Sequence, residues 1–97
     1  MIINASEARE LSFKSPLGAL MEKELVPNIM KDIESAAKEG RLSITFNFNA
    51  DAMFGVKNAY LAEKLIVSYL GVRGYIVALS KNYYDESECM LTVSWDS

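Results

Sequence analysis

No histidine occurs in the 97 residues, and cysteine occurs once, as Cys89. Without imidazole there is no ordinary Ser-His or Cys-His nucleophile pair and no histidine-containing zinc site, and one thiolate cannot build a Cys₄ site. The paired cysteines that staple small secreted domains are missing too, which fits a reducing compartment. No apolar run approaches the roughly 20 residues of a membrane span, and Met1-Ile2-Ile3-Asn4-Ala5-Ser6-Glu7 lacks the basic region and apolar stretch of a secretory signal. The expected location is the cytoplasm, with no membrane attachment.

Phosphate-binding glycine patterns are also lacking. The glycines at 18, 40, 55, 71 and 74 match neither G-x-G-x-x-G nor the P-loop, and each reads as a helix end or turn, so no cofactor is implied. Neither sign of charge dominates, since ten basic residues face thirteen acidic ones for a net charge of −3. That balance argues against nucleic acid as a partner. The mildly basic Lys57, Lys64, Arg73 and Lys81 lack the density and aromatic interleaving of a nucleic-acid groove. By contrast, Asp85, Glu86, Glu88 and Asp96 make the C-terminal end acidic.

What is present is enough apolar residue, 51% of the chain, for a single domain over residues 1–97. Such a domain buries roughly two-thirds of the surface its unfolded chain exposes and needs no staple. Asn4, with Glu7 three residues on, caps a short helix ending near Phe13, with Ala5, Ala8 and Leu11 as its apolar stripe. Ser15-Pro16 opens a longer helix whose Leu17, Met21, Leu25, Ile29, Ile33 and Ala37 recur every four residues as far as Gly40. Pro27 predicts a kink or short break near residues 24–26, and the apolar period surviving on both sides favours one kinked helix.

From Leu42 to Asn49 the pattern alternates, with Leu42, Ile44, Phe46 and Phe48 on one side of a half-buried strand. Residues 50–55 read as a loop. A second long helix follows, from Val56 to about Leu70, carrying Leu61, Leu65, Ile66, Tyr69 and Leu70 and ended by Gly71 or Gly74. Tyr75 to Ser80 and Cys89 to Trp95 are two further strands around a polar loop. The expected fold is α+β, a two-layer α/β arrangement in the order α-α-β-α-β-β, with a three-stranded mixed sheet and its helices packed on one face. The first two strands should run parallel through a right-handed crossover, and the last should pair antiparallel with the second. Whether the last strand lies between the other two stays open.

Cys89 falls in phase with Leu91, Val93 and Trp95, as a buried small hydrophobe would. Glu22, Glu24, Asp32, Glu34 and Glu39 fall on or near the polar side of the long helix, the pattern of a solvated face, although a small enzyme using carboxylates is one alternative. Binding is the leading expectation, and two surfaces are candidates for it. One is the sheet face opposite the core, which carries Ser43, Thr45, Asn47, Asn49, Ile76, Ala78, Ser80, Met90, Thr92 and Ser94 and no charge. Exposed strands ordinarily carry some Lys or Glu, so a neutral face reads as an interface, most simply of a homodimer, or else as a surface covered by the chain's own N-terminal segment or one that is merely polar and wet. The other is the loop containing Tyr83, Tyr84, Asp85 and Glu86, where large contact area meets acids suited to a basic partner, although a solvated loop with its tyrosines folded back over the sheet is the competing and favoured reading.

Ala5-Ser6-Glu7-Ala8-Arg9-Glu10-Leu11-Ser12, the helix closing from Ile33 to Gly40, and Gly74-Tyr75-Ile76-Val77 followed by Leu91-Thr92-Val93-Ser94-Trp95 together resemble a pattern in small α/β proteins of tailed bacteriophages. The resemblance implies a viral protein acting in the host cytoplasm and brings no catalytic residues with it. For a small non-catalytic viral protein in a bacterial host, the leading expectation is a host-directed inhibitor, such as an anti-defence protein, that binds a host protein or a small signalling molecule. The alternative is a minor virion or assembly component.

Overall fold

A computed structural model describes residues 2–81 and 88–96. The major elements follow the order α-α-β-α-β-β, with the second helix divided and one short helix added. Helix α1 (Ala5–Phe13) starts where Asn4 Oδ1 accepts from the Glu7 amide at 2.8 Å. Its expected stripe does not face the core. Ala5, Ala8 and Leu11 are exposed, Leu11 to 61%, and α1 is held instead by Phe13, whose ring meets the edge of Tyr69 at 5.4 Å.

Helix α2 (Pro16–Glu24) begins with Ser15 Oγ accepting from the Gly18 amide at 3.1 Å. Gly18 marks neither an end nor a turn. A Cβ there would lie 2.3 Å from the carbonyl oxygen of Phe13, so the missing side chain is what lets α1 lie against α2. At Pro27 the chain breaks: α2 stops at Glu24, Leu25 takes φ −108°, and α3 spans Val26–Lys38. Proline cannot donate toward Lys23 and disfavours helical geometry in the residue before it. Beside the break, Asn28 donates its side-chain amide to the Glu24 carbonyl at 3.2 Å. Met21, Leu25, Ile29 and Ile33 still point inward on either side of the break, while Ala36 rather than Ala37 completes the buried stripe.

Strand β1 (Ser43–Asn49) is followed by a helix where a loop was expected, α4 (Ala50–Phe54), capped by Asn49 Oδ1 accepting from the Ala52 amide at 2.9 Å. Helix α5 (Val56–Val72) then leads to β2 (Ile76–Lys81), and β3 (Glu88–Ser94) closes the sheet. Leu61, expected in the core, lies on the exposed side of α5, while Leu65, Ile66, Tyr69 and Leu70 are buried.

Helices α3 and α5 end in the same way. Arg41 N–H donates to the Ala36 carbonyl and Gly40 N–H to Ala37; Tyr75 N–H donates to Leu70 and Gly74 N–H to Gly71. Each is a Schellman end, with its glycine at φ +82° or +94°, and each delivers the chain directly into a strand. The result is two helix–strand units, α3 with β1 and α5 with β2, whose helices lie on one face of the sheet. Strand order is β1-β3-β2, and both ladders are antiparallel. Strands β1 and β2 therefore run in the same direction, as expected, but across β3 rather than beside one another.

Gly18→Ala should lower stability by about 1–3 kcal/mol, the range for forcing an atom into a filled site, despite alanine's better helix propensity. Gly71→Ala, with nothing within 4 Å of the added Cβ, should instead add about 0.4–1 kcal/mol. Urea midpoints of the two variants check both signs.

Candidate binding surface and a buried carboxylate

Because side chains alternate along a strand, residues 43, 45 and 47 of β1 share a face with 90, 92 and 94 of β3 and 76, 78 and 80 of β2. The register sets Ser94 between Ser43 and Ile76, Thr92 between Thr45 and Ala78, and Met90 between Asn47 and Ser80. The helices lie on the other side, and α1 packs on α2 and α5 rather than crossing the sheet. The predicted residues Thr45, Asn47, Ile76, Met90 and Thr92 are thus brought onto one surface and are all exposed, Ile76 to 59% and Met90 to 41%. Among the described residues the N-terminal segment does not cover this face, which leaves it as an interface or as a polar, wetted surface. Glu88 continues the β3 series opposite Asn49, so the uncharged surface spans three rungs and ends at a carboxylate. Tyr83, Tyr84, Asp85 and Glu86 lie outside the described residues.

A second cluster lies beneath the sheet. Glu63 of α5 is buried, and its Oε1 accepts from Lys81 Nζ at the end of β2 and from Cys89 Sγ, 3.0 Å away, at the start of β3. Burial alone would raise the Glu63 pKa, but hydrogen bonds from Cys89 and Lys81 and the ammonium charge outweigh it, and the carboxylate sits below its ordinary range. Burial, with help from the Glu63 hydrogen bond and charge, pushes the Cys89 thiol up to about 11. A thiol held neutral in this way is a poor nucleophile at pH 7. The Glu63 hydrogen bond also raises the Lys81 pKa. A carboxylate held ionised by two donors is a weak base, so the cluster's evident chemistry is to clamp α5, β2 and β3 together.

Glu63 was legible in principle, because it shares a helical face with Ala59, Ile66 and Leu70, all buried. Among the described residues, no group of three or more His, Cys, Asp or Glu side chains is placed to hold a metal ion, and no helix is long and apolar enough to cross a membrane.

Two concavities flank the sheet. A groove of about 330 Å³ is lined by Tyr60, Glu63, Lys64, Val67 and Ser68 of α5 and Leu79 of β2. On the β1 side, a hollow of about 260 Å³ is lined by Asp32, Ser35, Arg41, Ile44 and Thr45. The first is mainly apolar and the second mainly polar. No protein family, curated protein or solved structure matches the chain.

The linkage signs follow from the shifts. Glu63, with a lowered folded pKa, contributes stability present above its ordinary value near 4.5 and lost as pH falls through the folded value. Cys89, with a raised one, binds more protons folded than unfolded between 9.0 and about 11, so stability falls as pH rises through that window, on the order of 2–3 kcal/mol in all. Glu63→Gln should lower stability at pH 7 by about 1–3 kcal/mol and flatten the acid limb, and Cys89→Ala should flatten the alkaline limb. Denaturation across pH 3–11 checks both; limbs unchanged in the variants would remove the clamp from the account.

Proposed function

We propose that the protein acts by binding, without catalysis, and that the uncharged sheet face formed by Thr45, Asn47, Ile76, Met90 and Thr92 is its interface. The observation that carries this reading is that the outward residues of the central strand, Met90 and Thr92, are bare. Desolvating hydroxyls, amides and short apolar groups costs far less than desolvating lysine or glutamate, so a face with three uncharged rungs is suited to being covered. Thr45 also lines the polar hollow beside β1, but Ile76, Met90 and Thr92 line neither that hollow nor the β2 groove, and their spread across three strands suits a protein surface better than a small signalling molecule. With the resemblance to small phage proteins, the partner is a host protein and the consequence of binding is inhibition in the host cytoplasm.

Thr92→Lys sets a charge at the centre of this face without touching the core. Native mass spectrometry of protein purified gently from bacterial cells should show the wild type carrying a partner protein or a second copy. The variant should appear as a bare 10.8 kDa chain with an unchanged far-ultraviolet spectrum. Equal retention by both would show that the face is not the interface.

A further inference from the structure

We propose that the outer edge of β2, together with the groove beside it, receives an extended segment of a partner protein that is apolar at alternate positions and carries a carboxylate at one end of that series. Three observations converge on this. Strand β2 is at the margin of the sheet, paired with β3 on one side and with no described strand on the other. It presents no proline and no charge before Lys81, so it lacks the devices that usually keep a strand from pairing further. The groove is lined by α5 and by Leu79 alone, with no residue of β3, and so opens on that same free margin.

A strand added to β2 would send alternate side chains to the helix side, where Leu79, Val67 and Tyr60 offer apolar contact. Its intervening side chains would extend the open face.

Charge selects the occupant. Lys64 lines the groove with no ion pair to it among the described residues, whereas the groove's one acid, Glu63, is buried and already paired with Lys81. The Lys64 ammonium lies 4.7 Å from the centre of the Tyr60 ring, which holds a positive charge at the rim. A second copy docking here would set one basic flank against another, whereas a segment ending in a carboxylate complements it.

This surface shares β2, and with it Ile76, with the sheet face of the proposed function but not its β1 and β3 residues, and the test distinguishes them. The ¹⁵N-labelled full chain is titrated with an acetylated, amidated peptide alternating threonine and valine whose last valine is replaced by glutamate. A second peptide with lysine in that place is the control. The expected result is shifts concentrated at residues 60–68 and 76–81, with the glutamate peptide binding about tenfold more tightly than the lysine peptide. Lys64→Glu, an exposed change that leaves the core intact, should reverse that preference. Thr92→Lys should leave peptide binding unchanged. No shifts at millimolar peptide, shifts confined to residues 45, 47, 90 and 92, or equal binding of the two peptides would each overturn the proposal.

Discussion

The fold depends on the position of β3. The two Schellman ends send β1 and β2 off their helices in the same direction, yet these strands make no ladder with each other, and only a strand running the opposite way between them makes one sheet. That strand is the last in sequence. Its register joins Ser43 to Ser94 and Asn49 to Glu88, so the β1 ladder closes over some forty to fifty residues while the β2 ladder is local. Closure entropy grows only slowly with length, but non-local pairing of this kind makes folding slow. What favours insertion is burial. Cys89, Leu91 and Val93 are completely enclosed, and apolar side chains of their size contribute roughly 1.5–3 kcal/mol each when fully buried.

The buried carboxylate gains its meaning from that insertion. A strand that slips by one residue turns every side chain to the opposite face, and beyond Glu88 the outer series of β3 carries no charge to forbid it. Glu63 supplies a discrimination that hydrophobicity alone does not. In the native register it meets the thiol of Cys89 and the ammonium of Lys81; a slip of one residue brings up either Met90, which cannot donate, or Glu88, which repels. A charge inside the core is a weak source of stability and a better source of specificity. Here it reads the register of the strand on which the whole sheet depends.

Much of this was legible because local rules and tertiary structure agree. Asn4, Ser15 and Pro16 mark helix starts that occur, Gly40 and Gly74 mark the ends, and strict alternation after Leu42 marks a strand. The misreadings arise where a local pattern has no tertiary partner. Leu11 and Leu61 have helical spacing with apolar neighbours but face solvent, since spacing shows which residues share a face and not which face meets the core. Residues 50–55 read as a loop in the sequence although Asn49 and Gly55 bracket helix α4, because five residues carry too little periodicity to register. Gly18 reads in the sequence as a helix end or turn, but its role is set by the carbonyl of Phe13 in another helix, which no local pattern shows.

The candidate surfaces divide in the same way. The neutral face followed from alternation alone, because any three-stranded sheet with helices on one side leaves the other side to whatever the odd or even residues happen to be. The β2 groove did not, since it needs the strand order. Had β2 been central, Leu79 would lie under two neighbouring strands and the stripe of Tyr60, Lys64 and Val67 would flank an enclosed layer. Insertion of β3 leaves β1 and β2 as margins together, yet the margins differ: Asp32, Ser35 and Arg41 make the one beside β1 polar, while α5 makes the one beside β2 apolar with a basic rim. The topology that closes the core therefore also creates two unlike edges, and the helix beneath each edge determines what chemistry it presents.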